Sequence, residues 1–457
     1  MPARTIPSAS PSFIHSDRRL ARVAQPLRRF LYIEAAGGVV LVAAAVAALV
    51  WANVWPASYA SVWSTEVRIE VGNYEFSEDL VHLVNDLLMG LFFFVVGMEI
   101  KRELVRGELS EPRSAMLPVA AAIGGMAVPA LIYAAFNAGG DGARGWGIPM
   151  ATDIAFAVGV LALLGTRVPL SLKVFLLALA IVDDIGAIAV IALFYTEDLD
   201  VIWMLGAALT FAVTIALGQL GVRHLVVYLV AGVFAWLCLL ESGIHPAIAG
   251  AMLGLLTPVR PYYEPHAFES TVGRLMLDVA TDDGQLPRDD DEDRRAALRE
   301  IEDVARDSRP VLDRLEQALH PWTSFAIIPL FALANAGIDL GGGIARDAMS
   351  SPVSIGVVAG LVLGKPAGIV LFAFVATKIG IAALPAGVRW RELLGVAMVA
   401  GIGFTVSIFV SGLAFTDEAL VEEAKIGIFA GSLLIATAGC VTLMWLSRPG
   451  TPRDASA

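Results

Sequence analysis

From residue 30 onward the chain alternates long apolar runs with short polar connections. Twelve such runs lie near 30–52, 80–100, 115–136, 147–165, 170–194, 201–221, 224–241, 244–259, 321–337, 352–376, 391–413 and 425–446. A helix needs roughly 20 apolar residues to cross the hydrocarbon core, so this pattern predicts twelve transmembrane helices. The fourth and eleventh runs are interrupted, by Gly147-Ile-Pro149-Met-Ala-Thr152-Asp153 and by Gly401-Ile-Gly403-Phe-Thr405. Small and polar residues inside an apolar run predict broken helices, whose freed carbonyls can face a cation. Between the first two runs, Val67 to Phe76 alternates apolar and polar residues around Gly72-Asn73, the signal of a β-hairpin. A lone hairpin is only marginally stable, so it packs either on a second copy of the chain or on its own helices.

The polar segments set the orientation. Residues 1–29 carry Pro7, Pro11, Pro26 and several arginines, with no apolar core and cleavage site of a signal peptide ahead of Phe30. They read as a cytoplasmic tail before a first membrane block, 30–260, an acidic cytoplasmic loop, 261–319, a second block, 320–447, and a short cytoplasmic tail, 448–457. With both termini inside and the long loop set aside, the inner connections hold 18 Lys and Arg and the outer ones 4, the asymmetry expected of an even number of spans.

Composition narrows the class further. At 57% hydrophobic, 17% charged and a mean hydropathy of +0.72, a water-soluble core is excluded. The net charge of -12 is concentrated, because the 261–319 loop holds 16 acidic residues against 8 arginines. No basic face exists to neutralise phosphates, so nucleic acid is not an expected partner. Cys238 and Cys440 sit inside apolar runs without metal-ligand spacing, so no disulfide, zinc site or resident cofactor is expected. The 43 glycines suit close helix packing in a bilayer.

Against that background four charged residues stand out. Asp153 follows the break in the fourth run, Asp183 and Asp184 lie in Ile181-Val-Asp-Asp-Ile-Gly186 of the fifth, and Lys365 lies in Leu363-Gly-Lys-Pro366 of the tenth. Each acid costs roughly 2.5 to 3.5 kcal/mol at mid-membrane, a cost that marks an ion path or a proton relay. Adjacent acids on a helix point about 100° apart, so one can face a water-filled funnel and bind a hard cation while the other faces a neighbouring helix. A buried ammonium needs a partner, which assigns Lys365 to one of these carboxylates. Asp153 would balance the positive N-terminal ends of the broken helices and Lys365 the negative C-terminal ends. Carboxylates sharing such a site can take either a cation or protons, which is the chemistry of exchange.

Several segments together resemble one family. They are Asn85-Asp-Leu-Leu-Met-Gly through Glu99-Ile-Lys-Arg-Glu-Leu104, Ala151-Thr-Asp-Ile-Ala-Phe156, Ala178 to Ile188, Leu319-His-Pro-Trp322, Pro329 to Gly337, Leu363-Gly-Lys-Pro366 and Gly401 to Phe409. From about Phe30 to Ser447 the chain is similar to the NhaA-type Na+/H+ antiporters. That resemblance implies an all-α polytopic membrane protein of twelve helices, with inverted repeats of spans 3–5 and 10–12, broken helices 4 and 11, and a small extracytoplasmic β-hairpin. The repeat is a known property of that family, not a reading of this sequence.

The resemblance also assigns roles. Asp184 is implied as the principal Na+ ligand, Asp183 as the second acid paired with Lys365, and Thr152 and Asp153 as residues of the crossing point. Glu99, Arg102, Glu103 and Glu316 are implied in pH activation at a cytoplasmic funnel, and His245 in the pH response. Asp86 matches another acid of the second helix, for which we expect a structural role. Expected partners are Na+, Li+ and protons as substrates, the lipid bilayer, and a second copy through the hairpin at 67–76. The expected location is the bacterial inner (plasma) membrane. Ahead of Leu319-His-Pro-Trp322 the family carries a Lys and a His where this chain has Asp313 and Gln317, so a different activation pH is expected. Two other classes are weighed: an intramembrane aspartyl protease, disfavoured because no Gly-x-Gly-Asp surrounds either acid, and a Na+-coupled solute symporter.

Overall fold

The computed structural model describes residues 36–71, 74–196, 199–220, 225–259, 268, 270–273, 292–338, 341, 348–385 and 387–446. The two tails and, in the acidic loop, residues 261–267, 269 and 274–291, which include the Asp-rich stretch at 289–291, lie outside the described residues. The described chain is almost entirely helical. Helices α1 (Ala36–Val54), α3 (Leu80–Arg106), α4 (Pro112–Asn137), α7 (Leu170–Phe194), α8 (Val201–Gln219), α13 (Pro352–Lys378) and α16 (Glu418–Leu446) are each long and apolar enough to span a membrane. Two bent pairs raise the count to as many as nine among the described residues: α5 (Asp141–Met150) with α6 (Ile154–Leu163), and α14 (Trp390–Ala400) with α15 (Phe404–Ala414).

Shorter elements complete the fold: α2 (Pro56–Trp63), α9 (Leu225–Glu241), α10 (Ala247–Leu256) and α11 (Glu292–Asp307). A helix designated α12 begins as Val311–Trp322 and continues through Thr323–Ile327 to Ile328–Asn335. Strands β1 (Glu66–Val71) and β2 (Tyr74–Asp79) pair antiparallel, Glu66 opposite Asp79 and Val71 opposite Tyr74. Residues 72 and 73 between them, on which the Gly-Asn turn was expected, lie outside the described residues.

Glycine decides which helices touch most closely. A β-carbon on Gly250 would stand 1.9 Å from the Gly90 carbonyl oxygen, and one on Gly97 2.3 Å from that of Ala251, so α3 and α10 meet backbone to backbone. Helices α4 and α13 interlock likewise, Gly124 against the Gly368 carbonyl at 2.2 Å and Gly368 against that of Gly124 at 2.0 Å. Small residues permit this approach where lipid supplies no hydrophobic drive between helices.

Proline shapes two of the long helices. Pro366 and Pro329 lack an N–H and crowd the carbonyl four residues back. In both cases the preceding turn widens into a π segment, Gly360–Gly364 in α13 and Thr323–Ile327 in α12. A third π segment, Val84–Leu88, lies in α3 without a proline. On the opposite flank Tyr59 of α2 places its hydroxyl 2.7 Å from the Ala334 carbonyl and 3.0 Å from that of Leu333, at the end of α12. Burial pushes the Tyr59 phenol up to about 12, which keeps it a neutral donor to these carbonyls.

Candidate functional site

The two bent pairs cross, and their four inner ends are held by side chains. The chain is extended at Asp153, between α5 and α6, which meet at 43°; α14 and α15 meet at 49° across Gly401 to Gly403. Asp153 Oδ1 accepts from the Phe156 amide at 2.9 Å, capping α6. Its Oδ2 accepts from the Thr405 amide at 3.0 Å and lies 2.6 Å from the Thr405 hydroxyl, at the start of α15. One carboxylate thus faces two helix N-termini, where a negative charge offsets both dipoles.

The C-terminal ends receive donors. Lys365 Nζ donates to the Met150 carbonyl at the end of α5. Thr152 Oγ1 lies 2.9 Å from the Ala400 carbonyl at the end of α14 and 2.6 Å from Asp183 Oδ2. The backbone is tied across the crossing as well, the Asp153 amide donating to the Ile402 carbonyl at 2.7 Å.

Asp183 and Asp184 divide as adjacent helical residues must. Asp183 faces the crossing, with Oδ2 2.7 Å from Lys365 Nζ, and Lys365 itself is 0% exposed. Asp184 faces a narrow cavity of about 40 Å³ at the side of the crossing, which it shares with Glu99, Thr152, Asp153, His320 and Thr405. Asp183 Oδ1 and Asp184 Oδ2 are buried oxygens with no hydrogen-bond partner among the described residues. Buried carboxylate oxygens left unmatched are costly, so they mark where a cation or a proton would be accommodated. The donor set is carboxylate and hydroxyl oxygen, which suits a hard cation. Among the described residues no three His, Cys, Asp or Glu converge as a transition-metal site would require.

A wider cavity of about 720 Å³ opens beyond this one, and Glu99 and Ile154 line both. Its charged lining includes Arg102, Glu103, Arg106, Asp313 and Glu316. Arg102 pairs with Glu316 across the α3–α12 seam and lies 4.0 Å from Glu103. Glu99 lies 3.9 Å from His320. Of the residues expected to sense pH, Glu99, Arg102, Glu103 and Glu316 therefore gather at this funnel. His245 does not. It pairs with Asp86 at 3.4 Å and sets its ring edge-on to Phe409, centroids 5.1 Å apart.

Some participants escaped the sequence reading. Thr405 and His320 carry no signal of their own in the sequence, and their placement beside Asp153 and Glu99 depends on which helices cross. Nothing in the sequence marks Arg106, since an arginine at the end of an apolar run reads as an interface charge. Asp313 and Gln317 also find partners: Arg106 Nη1 lies 3.3 Å from Asp313 Oδ2, and Gln317 accepts from Arg309.

Crossed, interrupted membrane helices around buried acids and one buried lysine define a polytopic membrane protein built for ion transport. The comparisons make the family specific. The profile of the Na+/H+ antiporter 1 family matches residues 28–443, and the chain belongs to that family. It is 49% identical over 434 residues to "Na(+)/H(+) antiporter NhaA 2" of Sorangium cellulosum (strain So ce56), covering 94% of this chain and 92% of that protein. It is 46% identical over 453 residues to "Na(+)/H(+) antiporter NhaA" of Oleidesulfovibrio alaskensis, covering 98% of this chain and 99% of that protein. With the protein of the same name from Rhodopirellula baltica it shares 47% identity over 422 residues, 92% of this chain and 94% of that one.

Proposed function

We propose that this chain exchanges cytoplasmic Na+, and Li+, for external protons across the inner membrane of a bacterial cell. The observation that supports this most directly is the pair of unmatched buried oxygens, Asp183 Oδ1 and Asp184 Oδ2, beside the Lys365 ammonium. An arriving cation takes Asp184 from the cavity side, with Asp183, Thr152 and Asp153 as further oxygen donors. The cation displaces the proton held on Asp184, and once Asp183 turns toward it Lys365 loses its counter-charge and gives up a second proton, both leaving through the cavity to the cytoplasm. More protons than cations then move per cycle, and exchange is electrogenic.

The remaining features fit the same reading. Twelve spans result when α9, α10 and α12 are counted with the nine above, an even number that puts both termini on one side, and the Lys and Arg asymmetry of the connections favours the cytoplasmic one. The charges of the wide cavity, Glu99, Arg102, Glu103 and Glu316, together with His245, set the pH at which exchange turns on, and the β1–β2 pair joins two copies. The test uses inside-out membrane vesicles in which respiration has built a pH gradient. Adding Na+ collapses the gradient with the natural chain and leaves it intact with Asp184→Asn; an undiminished response from that variant would refute the assignment.

A further inference from the structure

Three acid–base pairs run along the seam between α3 and α12. From the inner cavity outward they are Glu99 with His320, Arg102 with Glu316, and Arg106 with Asp313. The partners ascend α3 as α12 descends, each step about one helical turn, which is how antiparallel helices present matching faces. In the outermost pair the guanidinium also reaches a third segment of the chain. Arg106 Nη1 reaches Asp313 Oδ2 at 3.3 Å while Nη2 donates to the carbonyl of Val259, just beyond α10. One guanidinium therefore joins α3, the end of α10 and the start of α12.

The surroundings agree. Behind the pairs an apolar cluster of Val95, Met98, Val259 and Leu312 draws on the same three segments. The Leu312 amide donates to the Pro258 carbonyl at 3.3 Å, a second tie between α12 and the end of α10. Farther along, α12 carries His320, Thr323 and Ser324 into the narrow cavity that holds Asp184. A restraint at the start of α12 thus bears on the wall of the cation site.

We infer that Arg106 is a positioning residue, a staple that fixes α12 against α3 and α10 and so sets the shape of the cation's cytoplasmic approach. The inference rests on the antiport reading for its transport readout. A planar fork can serve a carboxylate and a carbonyl at once, whereas a lysine offers one nitrogen. The pair is partly exposed, and such pairs add little to stability, so melting is the wrong readout. Charges sharing the cavity with Arg106 are Glu99, Arg102, Glu103, Glu108, Glu111, Asp313 and Glu316, and the staple must be told apart from a change in their summed potential.

Na+-dependent proton flux is measured across pH for Arg106→Gln, Arg106→Lys, Asp313→Asn and the double variant Arg106→Gln/Asp313→Asn. With a staple, both neutral single variants raise the KM for Na+, Arg106→Gln by roughly two- to fivefold and Asp313→Asn by less. The double variant is then no worse than Arg106→Gln alone, as for partners in one interaction. Arg106→Lys falls between. Opposite shifts from the two single variants, fading with added choline chloride, would mean that Arg106 only tunes the potential, and the staple is overturned.

A second readout needs no transport. Spin labels at Val105→Cys and Ala318→Cys, with Cys238→Ser and Cys440→Ser, report the α3–α12 separation, which broadens or shifts when Arg106→Gln is added. An unchanged distance distribution also overturns the staple. Absence of Na+-driven flux in the natural chain would instead defeat the antiport reading and leave the distance result standing.

Discussion

Lys365 and Asp183 meet 2.7 Å apart, from the middle of α13 to the middle of α7, both nearly inaccessible to solvent. Neither has another opposite charge in hydrogen-bond reach among the described residues: Lys365 otherwise donates to the Met150 carbonyl, and Asp183 otherwise faces the Thr152 hydroxyl. Removing one member of such a pair strands the other in a low-dielectric interior, at a cost of about 3 to 5 kcal/mol. Asp183→Asn or Lys365→Gln should each destabilise the purified protein by that order, and the double variant by much less than the sum. Thermal unfolding in detergent checks it, with additive losses as the contrary result.

Asp184 makes a different prediction because it faces the cavity. If protons and Na+ compete for its carboxyl, Na+ binds most tightly where the site is deprotonated, so affinity falls as pH falls. Adding NaCl to lightly buffered, detergent-solubilised protein should release acid at alkaline pH and progressively less as the starting pH is lowered. Asp184→Asn should release markedly less at any pH. Equal Na+ affinity at acid and alkaline pH, without proton release, contradicts the competition.

Asp153 takes donors from two helix starts, among them the amide and the hydroxyl of Thr405. Thr405→Val removes the hydroxyl and keeps the amide, which should cost about 1.5 to 3 kcal/mol for a bond to a charged group. Thr405→Ser should recover most of it. A Thr405→Val protein as stable as the natural chain, with unchanged exchange, would mean that the amides alone hold the acid.

Two glycines separate packing from conformation. Gly250→Ala drives a methyl to within 1.9 Å of the Gly90 carbonyl and must push α10 from α3, whereas Gly412→Ala in α15 meets nothing within 4 Å. The first should lower the yield of folded protein sharply, by overpacking of about 1 to 3 kcal/mol or more. The second should be nearly neutral. Size-exclusion profiles of the two variants after detergent extraction decide the matter.

Much of the site could be read before any coordinates because charge in an apolar run is rare. Asp153, Asp183, Asp184 and Lys365 announce themselves by cost alone, and their adjacency or spacing along α7 says which pair must diverge. The breaks at Thr152 and Gly403 were legible for a similar reason, since proline, glycine and polar residues leave a gap in an otherwise continuous run. Thr405 and His320 were harder. A threonine at a helix start or a histidine within a helix is ordinary until another element is laid across it, and the sequence does not say which element that is. Arg106 illustrates the same limit from the other side. Its meaning comes from a main-chain oxygen at Val259, and main-chain oxygens carry no letter. The substitutions at Asp313 and Gln317 were visible as departures, but their new partners, Arg106 and Arg309, emerge only from the fold.

The two tightly nested couples, α3 with α10 and α4 with α13, constrain how this molecule can deform. Where a glycine of one main chain rests directly on a carbonyl of another, there is little rotamer freedom to absorb shear, and sliding drives that carbonyl into the facing backbone. Any rearrangement that carries an ion from one side to the other must therefore leave those two seams intact. The give has to come from contacts cushioned by larger side chains.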